Sequence, residues 1–432
     1  MPDAPELRPW RRALAWLAVL GPLFFLSYGW ANARAASLTA VPSVVFSWER
    51  ALPFLPWSIV PYWSIDAFYT ASFFLCTRRA ELDRHGLRLL TAQLVAVACF
   101  VLWPLHFSFT RPPVEGLPGW LFQVLLGFDQ PFNQAPSLHI VLLVVLWAKY
   151  AEYVPRRWRW LLHGWAALIG VSVLTTWQHH FLDVPTGALA GLLCLWLWPN
   201  RGPSPLAAWR RGRSVRHGCL AAGYLAASLA CAGLAMPGAA ALWLLWPAVS
   251  LLLVALAYAG LDVAVFQKRA DGRLSVAAGW LLAPYRAAAW LNARCWTRRH
   301  PTPAEVVAGV WLGRLPGRGE PLPAPAIVDV CAELACRAQV ARYTSVPMLD
   351  LVTPPVTALR AAARAITAAR RDGPVLVCCA LGYARSAAAL ATWLLREGLA
   401  ADVDEAVARL EAVAPRVVLT PATRAAIAEA AA

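Results

Sequence analysis

The stretch PVLVCCALGYARSAAALATWLLR, residues 374–396, decides the fold of the C-terminal part of the chain. It opens with an apolar, valine-rich run, passes through a short turn that contains Gly382, and continues as an alanine- and leucine-rich run typical of a helix. A buried strand that leads directly into a helix is a building unit of α/β domains. We therefore predict a strand over 374–379 and a helix over 385–398.

Further strands and helices alternate around this unit across residues 300–432. The short runs VWLG, AIVDV and TSVPML have the composition of strands, and alanine- and arginine-rich stretches have that of helices. The pattern predicts a small α/β domain, a sheet covered by helices. Its predicted helices lie at 357–371, 385–398, 403–413 and 421–431.

The whole chain of 432 residues is too apolar for one soluble globule. Hydrophobic residues make up 59% of it and charged residues 15%, against roughly 45–50% and about 25% in an average soluble domain. This composition excludes a disordered, collagen-like or coiled-coil chain. Apolar runs long enough to cross about 30 Å of hydrocarbon recur up to Phe266. We predict eight membrane crossings, near residues 13–32, 53–75, 87–108, 138–154, 160–178, 183–199, 218–236 and 240–262.

The positive charges indicate which side of the membrane each loop faces. Residues 300–432 hold thirteen arginines, no lysine and twelve acidic residues, so fourteen of the fifteen net positive charges lie in residues 1–299. Alternate loops of that part are rich in cations, which is typical of the cytoplasmic membrane face rather than of a nucleic-acid-binding surface. We predict a multi-pass inner-membrane protein with a cytoplasmic N-terminus and C-terminal domain, and no nucleic acid partner. One such loop holds Arg201, Arg210, Arg211, Arg213 and Arg216.

Two segments leave alternatives open. The first apolar run follows three arginines, as a signal peptide would, although its length favours an uncleaved helix. Residues 274–297 are apolar but contain Pro284 and two arginines, which favours an interfacial helix or linker. A further crossing at 274–297 would move everything downstream outside the cell.

The predicted architecture is an all-α polytopic membrane bundle followed by the α/β domain. We assign an N-terminal membrane helix, a core with a flanking helix, two further membrane helices, an interfacial linker and the α/β domain. Their boundaries are 1–50, 51–200, 201–266, 267–299 and 300–432.

The turn at 379–386 carries the residues of a nucleophilic phosphate site. Cys379 and Arg385 flank five residues between strand and helix, where loop N–H groups and the positive end of the helix hold an anion. We expect that field to favour the thiolate form of Cys379, Arg385 to bind two phosphoryl oxygens, and Ser386 to hydrogen-bond the departing sulfur. Gly382 lets the loop curl without a Cβ. The alternatives are a buried structural thiol and a domain that binds phosphate without turnover.

These residues resemble the signature of the cysteine-based phosphatases, in the dual-specificity branch, over most of 300–432. AGVWLGRLP is similar to the family's opening strand and VPMLDLVTPP to its general-acid loop. The resemblance implies a mixed sheet flanked by helices, no metal or organic cofactor, and Asp350 as the acid that protonates the leaving oxygen and then activates water. The family usually has histidine where Cys378 stands, and we expect Cys378 to pack inertly. Asp329 and Glu333 are interpreted as structural surface carboxylates.

Two polar motifs lie at the cation-poor ends of predicted crossings. His139 begins one helix, and His179 and Asp183 are four residues apart, the spacing of one helical face. We predict that Asp183 orients His179 as a nucleophile and that His139 protonates the leaving alkoxide. His180, three residues from Asp183, is the rival nucleophile. The alternative is a helix bundle with two capping histidines.

PSLH at 136–139 and the histidine and aspartate of 179–183 resemble the second and third motifs of the type 2 phosphatidic acid phosphatase superfamily. LPFLPWSIVPYW is similar to a stretch of its inositol phosphorylceramide synthase and sphingomyelin synthase branch. The resemblance covers roughly residues 50–200. It implies a six-helix bundle, a phosphohistidine at His179, and phosphate contacts from Ser137 and backbone groups.

The membrane motifs depart from the phosphatase branch in two places. Ser172-Val173 stands where that branch has Ser-Arg, and Pro104 stands where it has lysine. The missing cations favour the transferase-like branch and leave Arg111 as the obvious phosphate cation. No third ligand accompanies the histidine pair at metal spacing, so we predict no metal.

Together the motifs predict a bifunctional membrane phosphatase. The outward site would hydrolyse or transfer head groups of phospholipids or sphingolipids, and the cytoplasmic site would act on a lipid, another phosphomonoester or a phosphoprotein. The alternative is a signalling protein tyrosine or serine phosphatase whose membrane part is a non-catalytic sensor. A transporter is a third hypothesis, although the ionisable groups cluster at one face rather than along a midplane path.

Overall fold

The computed structural model describes residues 8–210, 214–235 and 239–432. The chain divides into two compact units, and each is described by itself. The first comprises Met1–Ser204 with Met236–Leu242, and the second comprises Pro205–Ala235 with Trp243–Ala432. The finer domain boundaries stay predictions. Arg211 and Arg213, used to predict orientation, lie outside the described residues.

The first unit is built from apolar helices, as its long hydrophobic runs require. A helix that is apolar on most of its faces is buried against neighbouring helices or in lipid. Leu89 of the third helix, Val141 of the fifth and Cys194 of the seventh share one buried core. The helices are α1 (Trp10–Ala36), α2 (Ile59–Leu75), α3 (Arg79–Leu102), α4 (Gly116–Leu126), α5 (Leu138–Tyr153), α6 (Arg159–Thr175) and α7 (Asp183–Leu197).

Two glycines bring α7 close to α5. A Cβ at Gly187 would lie 2.8 Å from the backbone oxygen of Ser137, and one at Gly191 would lie 2.7 Å from Cβ of Val144. Small residues four apart let helix backbones approach more closely than larger side chains permit. The start of α7, with Asp183, is thereby held beside the start of α5, with His139.

Four helical segments among the described residues are long and apolar enough to cross a membrane: Trp10–Ala36, Arg79–Leu102, Val215–Ala235 and Ala241–Phe266. The helices α2, α5, α6 and α7 coincide with other predicted crossings but have only 15–17 residues, where about 20 are needed. Eight crossings therefore stay a prediction. The sequence reading also missed α4, which lies in a segment predicted only to connect two crossings.

The second unit begins with the apolar pair, α8 (Val215–Ala235) and α9 (Leu245–Leu256). The two helices pack together, and Ser228 Oγ donates a hydrogen bond to the backbone oxygen of Ala248 at 2.7 Å. The helix then continues through a π-helical turn over Ala257–Leu261. The predicted interfacial segment forms α10 (Val276–Leu281) and α11 (Ala283–Thr297), and α11 has its proline in the first turn, where the missing N–H needs no partner.

A mixed five-stranded sheet follows, in the order β1-β2-β5-β3-β4. Strand β1 is antiparallel to β2, and the other neighbours are parallel. The sheet and its covering helices confirm the predicted α/β architecture, although the sequence reading missed the short β1. The elements are β1 (Ala304–Val307), β2 (Val310–Arg314), β3 (Ala326–Cys331), β4 (Arg342–Met348), α12 (Val356–Arg370), β5 (Val375–Cys379), α13 (Arg385–Arg396), α14 (Val403–Val413) and α15 (Pro421–Ala431).

Candidate active sites

The loop between β5 and α13 curls around the sulfur of Cys379. The N–H of Gly382 donates to Sγ at 3.2 Å, and the Ser386 hydroxyl donates to it at 3.3 Å. Gly382 has φ +87°, and a Cβ there would lie 2.6 Å from the backbone carbon of Gly313. Only glycine fits this position without strain. Two donors aimed at one sulfur at a helix N-terminus stabilise negative charge on it.

Arg385, the first residue of α13, follows this loop and pairs with two carboxylates. Its Nη1 and Nη2 donate to the two oxygens of Glu333 at 2.8 and 2.6 Å, and Nη1 also donates to the backbone oxygen of Met348. Burial would lower the pKa of Arg385, but the carboxylates of Asp350 and Glu333 raise it well above its ordinary value. Burial would likewise raise the pKa of Glu333, yet Arg385 holds it well below its ordinary value. The arginine is therefore charged and fixed in direction.

Asp350, the predicted general acid, follows β4 and reaches the same arginine. Its Oδ1 lies 3.2 Å from Nε of Arg385, and 28% of its side chain is exposed. The next residue, Leu351, has φ +62°, so the backbone turns sharply here. The structure thus brings together Cys379, Gly382, Arg385, Ser386 and Asp350, while their catalytic roles stay predictions.

The interpretation of Asp329 and Glu333 as surface carboxylates is wrong. Asp329 is fully buried and accepts hydrogen bonds from Lys268 Nζ and Tyr343 Oη, both at 2.6 Å. Glu333 is 3% exposed. Asp329 lies in β3 opposite Cys378 of β5, and Glu333 follows that strand; the pairing of β3 with β5 is a non-local contact that a single sequence does not display. The signal that could have found Glu333 is its position just after β3, the strand that neighbours the strand of Cys379.

Cys378 packs on the opposite side of β5 from Cys379. Successive strand residues point to opposite faces, and Cys378 is fully buried in an apolar cluster with Cys331, Cys336 and Leu376. Burial raises its pKa well above the ordinary value, so the thiol stays neutral. The packing role predicted for Cys378 agrees with this position.

In the first unit, His179 and Asp183 form a buried pair. His179 Nδ1 lies 3.1 Å from Asp183 Oδ2, which also accepts the backbone N–H of His180 at 3.0 Å. The expectation of a shared helical face is wrong, because α6 ends at Thr175 and α7 begins at Asp183. The histidine therefore lies in the connecting turn, and the carboxylate at the start of α7 reaches back to it.

His180, the rival nucleophile, has both ring nitrogens engaged. Its Nδ1 lies 2.9 Å from Glu49 Oε2, and its Nε2 lies 3.1 Å from Ser108 Oγ and 3.2 Å from the Ser108 backbone nitrogen. By contrast, Nε2 of His179 makes no hydrogen bond to the described residues, and only its Nδ1 is engaged, by Asp183. The geometry therefore favours His179 over His180 as the nucleophile. The sequence reading missed Glu49, which also accepts the N–H groups of Phe46 and Phe181.

The start of α5 meets the start of α7. The backbone N–H of Ser137 donates to the backbone oxygen of Asp183 at 3.1 Å, and Ser137 Oγ caps α5 by accepting from Ile140 N. His139 stacks on Tyr62, with ring centroids 4.0 Å apart, and its buried Nε2 has no hydrogen-bond partner among the described residues. An imidazole nitrogen without a hydrogen-bond partner is thus available at the start of α5.

Arg111 and Asp129, a half-buried carboxylate that the sequence reading missed, complete this site. Asp129 accepts a hydrogen bond from Tyr28 Oη at 2.7 Å. Burial raises the pKa of Asp129, while Tyr28, His179 and Arg111 oppose the rise. The Arg111 guanidinium lies over the ring of Phe122, 5.5 Å from its centroid. Phosphate contacts by Ser137 and Arg111 stay predictions. Among the described residues, no three His, Cys, Asp or Glu side chains are grouped as metal ligands.

Comparison with known proteins gives similarity over about 30% of the chain. No protein-family model matches the sequence, and no curated protein matches it. The chain is similar to the solved structure of PTPMT1, with 15% identity over 30% of this chain and 94% of that chain, at a TM-score of 0.25. It is similar to human DUSP28, with 20% identity over 30% of this chain and 94% of that chain, at a TM-score of 0.27. It is also similar to the human tyrosine phosphatase-like serine/threonine/tyrosine-interacting protein, with 16% identity over 30% of this chain and 95% of that chain, at a TM-score of 0.28.

Proposed function

We propose that this chain is a membrane-bound bifunctional phosphatase. One site uses Cys379 to release phosphate from a phosphomonoester, which is a lipid, a small molecule or a phosphoprotein. The other uses His179 to hydrolyse or transfer a phospholipid or sphingolipid head group. The observation that carries the proposal is the sulfur of Cys379, which accepts two hydrogen bonds at the start of the helix that begins with the buried Arg385.

The cysteine reaction proceeds in two displacements. The thiolate of Cys379 attacks phosphorus, and Asp350 gives its proton to the leaving oxygen as that bond breaks. Water, activated by the same carboxylate, then attacks the phosphocysteine, and Ser386 donates to the departing sulfur. Arg385 stabilises the charge on the phosphoryl oxygens. Its Nε faces Asp350 before substrate binds, so the substrate phosphate replaces that contact and frees the acid.

The histidine reaction follows the same two-step logic. Nε2 of His179 attacks phosphorus, and Asp183 holds Nδ1–H so that the required tautomer is retained. His139 protonates the leaving alkoxide. Water or an alcohol then takes the phosphoryl group from phosphohistidine. The buried nitrogens Trp177 Nε1 and Gln178 Nε2 have no hydrogen-bond partner among the described residues, and such donors suit an anionic phosphate beside His179.

For the topology we propose eight crossings of the inner membrane, a cytoplasmic N-terminus and C-terminal domain, and the histidine site on the outer face. Support comes from the cation-rich alternate loops and from the four membrane-length helices. Periplasmic labelling of single cysteines introduced into the loops, in a chain lacking the native cysteines, tests this arrangement.

Phosphate release by membranes that contain the full chain tests the cysteine site. Cys379→Ser should abolish vanadate-sensitive hydrolysis of para-nitrophenyl phosphate, because the hydroxyl of serine ionises far less readily than a thiol. The matched control is Cys378→Ser, which changes the adjacent buried residue and leaves the nucleophile in place. Equal loss in both variants, or undiminished release by Cys379→Ser, would contradict the mechanism.

Head-group turnover tests the histidine site. His179→Ala should end head-group release or transfer from membrane lipids, while His163→Ala, which changes a histidine paired with Trp147, should leave it intact. Unchanged lipid turnover in His179→Ala would favour the alternative, a signalling phosphatase with a non-catalytic membrane part. Lipid profiling of a deletion strain identifies the lipid.

A further inference from the structure

The acid loop of the cysteine site, residues 346–355 around Asp350, is hydrogen-bonded to the apolar pair α8 and α9 and to the segment that follows it. Tyr258 Oη, on the π-helical turn that follows α9, donates to the backbone oxygen of Asp350 at 3.0 Å. Arg216, in the first turn of α8, donates from Nε to the backbone oxygen of Leu351. Two successive carbonyls of the acid loop are thus held by segments long and apolar enough to cross a membrane.

The phosphate-binding loop has a similar tie to α11. Tyr383, inside the Cys379–Arg385 loop, donates its hydroxyl to the backbone oxygen of Trp296 at 3.3 Å. Arg416 Nη1 donates to the same oxygen at 3.0 Å. Both loops that shape the cysteine site therefore contact elements outside the α/β domain.

Those elements have the composition and exposure of membrane-associated structure. Only 11% of the apolar window of α8 is buried within the protein. Along α10 and α11, Trp280, Trp290 and Trp296 are 57%, 53% and 61% exposed. Exposed tryptophans on a short amphipathic segment are typical of the membrane–water interface.

Cations accompany the tryptophans. Arg298 and Arg299 are exposed directly after α11, and Arg269 and Arg273 are exposed in the turn before α10. Arginines next to an anionic membrane surface are attracted to it. The segments that carry the ties thus combine exposed apolar side chains with positive charge.

A cluster of tyrosines lies between these membrane-associated segments and the buried Glu333 of the cysteine site. The rings of Tyr224 and Tyr258 stack with centroids 5.6 Å apart, and Tyr285 meets Tyr224 edge-on at 5.9 Å. Burial raises the pKa of Tyr285 well above its ordinary value, and the Glu333 carboxylate raises it further. The hydroxyls therefore stay neutral beside the carboxylate that holds the phosphate-binding arginine.

We infer that the Cys379 site takes its substrate directly from the membrane surface, and that this substrate is a lipid whose head group ends in a phosphomonoester. The inference rests on the proposed function and narrows its substrate class. A lipid presents its phosphate at the level where interfacial tryptophans and arginines lie, which is where the two tied loops are held. A phosphopeptide or a soluble phosphomonoester gains nothing from that placement.

The test uses the full chain with His179→Ala, reconstituted in phosphatidylcholine vesicles, so that the histidine site does not contribute. The probes are vesicle-borne phosphatidic acid and phosphatidylinositol monophosphate, their water-soluble counterparts glycerol 3-phosphate and glycerophosphoinositol phosphate, and a phosphotyrosine peptide. Para-nitrophenyl phosphate reports the chemistry alone, and Cys379→Ser is the blank. We expect at least one lipid probe to have kcat/KM about tenfold or more above its soluble counterpart and above the peptide.

The double variant Trp290→Ala with Leu291→Ala separates membrane engagement from chemistry. Both side chains are exposed on α11, at 53% and 57%, and both lie outside the catalytic machinery. Losing them should raise the apparent KM for the lipid probe about tenfold while kcat for para-nitrophenyl phosphate is unchanged. Val413→Ala, which shortens an exposed apolar residue of α14, is the control and should change neither value.

The outcomes are distinguishable. Cys379-dependent hydrolysis that is as efficient on soluble head groups or on the peptide as on lipid would overturn the inference and leave the proposed chemistry standing. An unchanged KM for lipid in the Trp290, Leu291 variant would overturn it as well. Absence of any Cys379-dependent hydrolysis, including that of para-nitrophenyl phosphate, would overturn the proposed function and the inference with it.

Discussion

Glu333→Gln is the perturbation whose size can be worked out from the structure. Both carboxylate oxygens of Glu333 accept hydrogen bonds from Arg385, and the two side chains are only 4% and 2% exposed. The substitution removes the negative charge of Glu333, and the amide nitrogen of the new glutamine then faces an N–H donor of Arg385 instead of accepting from it. Breaking one side of a buried ion pair costs roughly 3–5 kcal/mol, because the remaining charge stays buried.

The pKa of Glu333 gives the pH dependence of this effect. Burial would raise the pKa of this carboxyl, but Arg385 holds it well below its ordinary value, so the ionised form contributes to stability at neutral pH. Since the folded pKa is the lower one, this stability is complete above the ordinary carboxyl pKa and is lost as the pH falls below it. The stability difference between wild type and Glu333→Gln should therefore shrink over the same range.

Hydrogen exchange of the β5 amides, Val375–Cys379, measures the effect in the detergent-solubilised full chain. At pH 7 we expect Glu333→Gln to lower the free energy of opening by about 3 kcal/mol. The control is Glu320→Gln, because Glu320 also pairs with two arginines but is 35% exposed, and such pairs contribute at most about 1 kcal/mol. Equal losses in the two variants would refute the reasoning that the buried pair orders this site.

Two further predictions concern glycines at which the backbone leaves no room for a side chain. Gly382→Ala should abolish vanadate-sensitive phosphate release, because the new Cβ would lie 2.6 Å from the backbone of strand β2. The control is Gly319→Ala, because Gly319 has a similar positive φ but nothing within 4 Å of a new Cβ. Normal phosphate release by Gly382→Ala would contradict the packing of the loop. Gly187→Ala should lower the melting temperature and His179-dependent head-group turnover, because it forces α7 away from α5. Gly164→Ala, with open space around it, is the control, and matching melting curves and turnover would argue against that helix contact.

Local patterns were enough to predict most of the C-terminal elements. The apolar run into Cys379, the turn at Gly382 and the following alanine-rich stretch lie as β5, the loop and α13. The reason is that period and turn chemistry are properties of neighbouring residues. The number of crossings was harder to predict, because helices such as α2 and α6 stop at 17 residues while apolar side chains continue into the adjoining turns.

The sites divide in the same way. The residue types and spacing of Cys379, Arg385, His179 and Asp183 are visible in the sequence because each motif is short. Glu333, Glu49 and Asp129 are not, since they reach their partners across 52, 131 and 101 residues. Such distant pairs leave no periodic trace in one sequence.

The amino-acid sequence alone is thus enough to predict the apolar composition, the strand–loop–helix unit and the candidate nucleophiles, because all of these depend on local chemistry. The fold is needed to see that Glu333 binds Arg385, that Glu49 binds His180 while Asp183 binds His179, and that Tyr258 and Arg216 hold the acid loop. The physical reason is that burial and ion pairing are set by which strands and helices become neighbours. That choice is made by packing over the whole chain and not by any one stretch of it.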